Sequence, residues 1–202
     1  VAEMIREFAM SYDRTWVYHA SSVFNNAFSS SYPGPDAKAL CATGRNSGKA
    51  VLNNKGTSAL THAAVTETRK LMRQFKDSNG LVLAVNPDTV VVPVELEEEA
   101  IEITRSERRS DNANNATNAN AGLSYIVDPL LTDANNWFMV DSGLAQRYLR
   151  WWWRIRPNTT PQGFAVDPKS EFDLEYRVRG NMRYSFGWDR HTFIYGHEVA
   201  NS

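Results

Sequence analysis

The apolar positions Ile5, Phe8, Tyr12, Trp16 and Val23, with His19 among them, recur at steps of three and four through residues 2–28, a stretch without Pro or Gly. That is the period of one helical face, and it predicts a single helix on the order of 35 Å long, more than a compact domain of this size needs inside itself. Such a helix reads as a strut. The run Ser29-Ser30-Ser31-Tyr32-Pro33-Gly34-Pro35-Asp36 ends it, and the turn-forming residues of 41–58 predict an extended loop. Thr61 then suits an N-cap, with Ala64, Thr68, Leu71, Met72 and Phe75 marking a second amphipathic helix. Asp77-Ser78-Asn79-Gly80 stops that helix, Gly80 being suited to a left-handed cap.

Two short apolar runs, 81–85 and 89–92, flank Asn86-Pro87-Asp88 and predict strands around a tight turn. Residues 94–105 carry Glu95, Glu97, Glu98 and Glu99 early and Arg105 late, the polarity that complements a helix macrodipole, with Leu96, Ala100 and Ile101 expected to face inward. The Asn-rich stretch 111–120 has little to bury and reads as a mobile loop. Strands are expected near 123–127 and 137–141. In the last third, Trp151-Trp152-Trp153 sits among Arg147, Arg150, Arg154 and Arg156. Beyond it, Phe172, Leu174, Tyr176 and Val178, then Met182, Tyr184, Phe186 and Trp188, alternate with polar residues or glycine. A period of two implies strands with one apolar face, and Gly180-Asn181 is the expected hairpin turn. The fold class is α+β, long helix first and antiparallel strands last.

Composition narrows the function classes. The chain has 202 residues, enough for one domain or two small ones with a real core. Lys plus Arg (22) against Asp plus Glu (23) leaves a net charge of -1, which argues against bulk-charge attraction to nucleic acid or an anionic membrane. A single cysteine, Cys41, excludes an intramolecular disulfide framework and fits a reducing cytoplasm. No apolar run approaches the roughly 20 residues of a membrane span, and the first residues lack a signal peptide's apolar core. The expectation is a soluble, intracellular molecule; Val1 in place of Met leaves open a longer or trimmed chain.

Enzymatic signatures fail on spacing. Gly44-Arg45-Asn46-Ser47-Gly48-Lys49-Ala50 has three residues between its glycines where a phosphate loop has four, and Ala50 stands where magnesium needs Ser or Thr. His19, His62, His191 and His197 form no i, i+4 zinc pair. Cys41 with His62 could be cast as nucleophile and base, against the plainer reading of a small buried hydrophobe. No catalytic residue, cofactor or metal site is therefore expected. The Arg and Trp cluster supports two readings: contact with single-stranded nucleic acid through Arg150, Trp152 and Arg154, or a buried seam between subunits. Trp16, Arg150, Trp151, Trp152, Trp153, Arg154 and Trp188 are the candidate subunit-interface residues on the second reading.

The order of segments carries a resemblance. A long helix ending in Asn26-Ala27-Phe28 is followed by Leu40 to Gly48, by Asn-Lys-Gly-Thr-Ser-Ala-Leu-Thr at 54–61, and by Asn-Pro-Asp-Thr-Val-Val-Val-Pro at 86–93. An acidic helix, an Asn-rich loop, Pro129-Leu130-Leu131, Asn136-Trp137-Phe138-Met139-Val140-Asp141 and an aromatic, Arg-rich ladder (173–197) complete the set. This ordered set resembles the major capsid protein of tailed bacteriophages with the Hong Kong 97-type fold, most closely the head subunit of Mu-like phages. The resemblance implies a long spine helix, a peripheral domain made by 1–80 and 151–202, and an axial domain made by 81–150, with the family's amino-terminal arm and extended loop absent from this chain. It further implies self-assembly through pentamers and hexamers into an icosahedral shell in the bacterial host cytoplasm, a place in the virion capsid, and non-specific enclosure of double-stranded DNA. Scaffold, portal and decoration proteins are possible partners, and no membrane is. The same fold builds encapsulin compartments, which load protein cargo instead.

Overall fold

The computed structural model describes residues 2–47, 50–109, 111, 116–162 and 177–200. In chain order the elements are α1 (Ala2–Asn25), β1 (Arg45–Ser47), β2 (Ala50–Leu52), β3 (Lys55–Gly56), α2 (His62–Arg73) and β4 (Thr89–Val92). A 3-10 turn (Val94–Leu96) leads into α3 (Glu97–Arg105), followed by β5 (Ser124–Val127), β6 (Trp137–Val140), α4 (Ser142–Tyr148), β7 (Leu149–Gln162), β8 (Arg177–Trp188) and β9 (Ile194–His197). The chain divides into two compact units, residues 1–20 with 151–187 and residues 21–150 with 188–202.

The larger unit is built on a five-stranded sheet in the order β3-β9-β6-β4-β5. β4 runs antiparallel to β6 and parallel to β5, while β9 runs antiparallel to β6 and parallel to β3. All residues of β4, β6 and β9 are buried, which explains their continuous apolar runs: a strand covered on both faces has no polar side to show. The pleat sends Val90, Val92, Trp137, Met139 and Tyr195 into one cluster with Val65 and Met72 of α2 and Ala100 and Ile103 of α3. Val91, Phe138, Val140 and Ile194 enter a second cluster with Phe24, Ala27 and Phe28 at the end of the first helix and Ala145 of α4. The smaller unit contains the two-stranded β7–β8 ribbon and the first nineteen described residues of the chain, all in α1.

Helices follow their local signals. Thr61 caps α2, its hydroxyl accepting from the Ala64 amide, and Asp141 caps α4 by accepting from Leu144. The helix of 94–105 forms with Ala100, Ile103 and Thr104 buried, whereas Ile101 faces solvent. The expected loop of 41–58 contains the β1–β2 hairpin and β3. It is held by Asn54, fully buried, which donates to the carbonyls of Leu40 and Ile194 and accepts from the Ala42 amide.

Several expectations are corrected. Residues 81–85 form no strand: Asp77 accepts from the amides of Asn79 and Leu81, and Gly80, at φ +88°, turns the chain so that Val82 pairs back on Lys76. β4 already has β5 and β6 as neighbours, so Leu81, Val82 and Leu83 are left exposed. Gly80 thus serves that turn rather than capping α2, which ends at Arg73. The end of the Asn-rich stretch is anchored, not free. Asn118 donates to the carbonyls of Ile103 and Ser106, Asn120 donates to His62 O and Thr66 Oγ1, and both side chains are buried. Residues 112–115 of that stretch, and the apolar run 172–176, lie outside the described residues. Gly180-Asn181 is not a hairpin turn but the interior of β8.

Candidate subunit interface

Within the smaller unit the period of two sorts the ribbon into faces. Trp151 and Trp153 of β7 share one face with Tyr184 and Phe186 of β8: the Trp151 ring stacks 4.6 Å from Tyr184 and 5.3 Å from Phe186. The first helix presents Trp16 and His19 to this face, Trp16 meeting Trp151 edge-on at 6.1 Å and His19 stacking on Phe186 at 5.7 Å. A 2.5 Å hydrogen bond joins His19 Nδ1 and the Tyr184 hydroxyl, and partial burial holds that phenol above its ordinary pKa. Tyr12 and Phe8 of the helix pack directly over Gly180. A Cβ there would fall 1.4 Å from the Tyr12 hydroxyl, so only glycine admits the contact.

The candidate residues therefore separate. Trp16, Trp151 and Trp153 form this aromatic cluster, while Trp152 and Arg154 point to the opposite face, Trp152 at 51% exposure. Arg150 and Trp188 belong to the larger unit. Arg150 pairs with Asp189 at 2.7 Å, and Trp188 closes over Gly34, where any added side chain would overlap the indole. Arg45, only 4% exposed, bonds to Asp36 at 2.5 Å and to the carbonyls of Ala39 and Leu40, with its guanidinium 6.0 Å from the Trp188 ring. A cleft of about 420 Å³ opens beside Arg45, lined by Asp36, Lys76, Trp188, Arg190 and His191 among others. Its cations and carboxylates are mixed. His191 Nδ1 lies 3.7 Å from Asp36, and burial, reinforced by Arg45, presses its pKa down to about 4.

The sequence matches the phage capsid protein family over residues 1–196. The chain belongs to the phage capsid protein family. No curated protein matches it. Membership makes it a structural subunit, implies assembly with copies of itself into a shell, and implies a place in the virion capsid. Among the described residues no helix is long and apolar enough to cross a membrane, and no group of three or more His, Cys, Asp or Glu side chains is arranged to hold a metal ion.

In this capsid protein Cys41 is packed against Gly196 and Phe138, and burial pushes its thiol up to about 12. A thiol held protonated is a poor nucleophile, and neither ring nitrogen of His62 has a hydrogen-bond partner among the described residues. Sequence reasoning missed the polar anchors of the fold: Asn54, Arg45, Asn120 and Asp88. Burial raises the Asp88 carboxyl, but bonds from the Ser142 hydroxyl and amide and from Thr89 more than offset this, leaving its pKa below the ordinary value. Only the Asp-Ser and Asp-Thr dipeptides hinted at these sites; an Asn in a polar loop carries no local sign that it is buried.

Proposed function

We propose that this chain is the major head subunit of a tailed, Mu-like phage, with the Hong Kong 97-type fold, and that it assembles into an icosahedral shell enclosing double-stranded DNA. The family match over residues 1–196 supports the capsid-subunit part of the reading, and the ordered motifs of the sequence support its Mu-like part. A 24-residue helix with aromatic rings along one stripe, Tyr12, Trp16 and His19 packed to the β7–β8 ribbon, agrees with a spine helix. In this reading residues 1–80 and 151–202 form the peripheral domain and 81–150 the axial domain around five-fold and six-fold vertices. A net charge of -1 lets many copies pack closely without mutual repulsion. Many modest contacts, heterologous and closed by symmetry, then sum to a durable shell. Trp16, Arg150, Trp151, Trp152, Trp153, Arg154 and Trp188 are the proposed interface set; Arg150, Trp152 and Arg154 are its exposed members, and of these Arg150 is paired with Asp189.

Negative-stain electron microscopy with light scattering on the full gene product tests this. Closed shells tens of nanometres across that hold DNA are the expected result. Shells filled with protein cargo would assign a compartment instead, and a persistent monomer would overturn the shell.

A further inference from the structure

The outer face of the β7–β8 ribbon is exposed and has no role in the packing described above. Opposite the aromatic cluster, Trp152, Arg154 and Arg156 of β7 and Arg179 and Arg183 of β8 are all exposed. Neither strand contains a single Asp or Glu. Among the described residues these four guanidinium groups make no ion pair. The larger unit carries the opposite imbalance. Glu97, Glu98, Glu99 and Glu102 of α3 are exposed and likewise without an ion-pair partner among the described residues. Glu98 and Glu102 are one helical turn apart, where like charges repel. Beside them Ile101 is 39% exposed and Val94 51% exposed.

We propose that the outer face of the ribbon, centred on Trp152, docks helix α3 of a second copy of this chain, Arg154, Arg156, Arg179 and Arg183 meeting its glutamates. Charge complementarity selects this occupant. Four arginines and four glutamates that have no ion-pair partner among the described residues stand on a chain whose total charge is -1, so one contact per copy would neutralise both groups. A nucleic acid would satisfy the ribbon and leave α3 self-repelling. An aromatic ring ringed by arginines is the composition of an interface anchor, and Ile101 supplies an apolar surface for it. The two surfaces differ, so the contact is heterologous and propagates from copy to copy. It deepens the shell reading and rests on it for the presence of many copies.

The experiment uses the full chain. The pair Arg154→Glu and Arg183→Glu, and separately the pair Glu98→Arg and Glu102→Arg, should each lower particle yield at least tenfold with circular dichroism unchanged. Combining all four should restore yield to within about twofold of the parent. Normal yield from either pair, or no recovery in the combination, would overturn the contact. A second readout is independent of shells. An Arg154→Cys chain mixed with an affinity-tagged Glu98→Cys chain should, on oxidation, give a mixed disulfide dimer well above a control in which Glu67→Cys, exposed on α2, replaces Glu98→Cys. If the parent forms no particles, the shell reading fails and this cross-link alone decides the contact, its absence overturning it.

Discussion

The Trp137 indole and the His197 imidazole lie face to face, 4.2 Å between centroids and 5° from parallel. The stack is held at its edges: Trp137 Nε1 donates to Ser58 O, and the Ser58 amide donates to His197 Nδ1. Thr68 spends its hydroxyl hydrogen on Ala64 O, so His197 Nε2 carries the proton and donates to Thr68 Oγ1. A proton added at Nδ1 would face the Ser58 N–H. Burial accordingly presses the His197 pKa down to about 4.

That geometry makes the fold acid-sensitive. With a folded pKa of about 4 against 6.5 unfolded, the unfolded chain binds more protons between those values. Stability is therefore complete above pH 6.5 and falls as the pH drops toward 4, by on the order of 3 kcal/mol from His197. His191, displaced the same way, adds to the slope. Thermal melts from pH 7.5 to 4 check this. His197→Phe keeps a ring on Trp137 and should flatten the dependence while lowering stability at pH 7, because the Ser58 amide loses its acceptor.

Gly180→Ala should be costly, although β8 otherwise favours residues with side chains. The new methyl would collide with the Tyr12 hydroxyl and the Phe8 ring, 1.4 and 2.7 Å from the Cβ position. A loss of about 1–3 kcal/mol is expected from such overpacking. Chemical denaturation measures it, and adding Tyr12→Ala should recover part of the loss.

Neighbouring tryptophans should behave oppositely. Trp151→Ala removes a ring stacked on both Tyr184 and Phe186 and should cost about 2–4 kcal/mol. Trp152→Ala, on the exposed face, should stay within about 1 kcal/mol of the parent in the unassembled subunit. A comparable loss at both positions would place Trp152 in a buried seam within the fold.

Asn120→Ala should destabilise by about 1–3 kcal/mol, since it strips partners from His62 O, Thr66 and Arg69. A short Gly-Ser insertion between Asn118 and Ala119 should be equally damaging, because the Asn120 amide also binds Asn118 Oδ1. Denaturant midpoints of the purified variants test both.

Cys41 should resist alkylation by iodoacetamide at pH 8 in the native chain and react once denaturant is added, its buried thiol being held at about 12. Mass spectrometry before and after unfolding reads this directly.

Much of the framework was legible from the chain. The three-and-four spacing of Tyr12, Trp16 and His19, the Thr61 cap and the apolar runs at 89–92 and 137–140 are local signals, and each produced its helix or strand. The alternation of the Trp and Tyr residues in the last third was legible, but not how the structure sorts Trp16, Trp151 and Trp153 from Trp152 and Trp188. Alternation tells which tryptophans share a face and is silent on which face the helix covers; the edge-on contact of Trp16 with Trp151 decides it.

By itself the sequence determined the helices α1, α2 and α3, the central strands at 89–92 and 137–140 and the capsid family, since these depend on periodicity, capping and ordered motifs that neighbouring residues carry among themselves; α4 and the buried strand β9 carried no such signal. Only the tertiary structure decided that Gly180 is a contact point rather than a turn, that Asn118 and Asn120 are anchors, and that Leu81, Val82 and Leu83 stay outside the sheet. Each of those outcomes depends on a partner far away in the chain, Tyr12, Ile103, His62 or a strand edge already filled, and short-range pattern holds no record of such a partner.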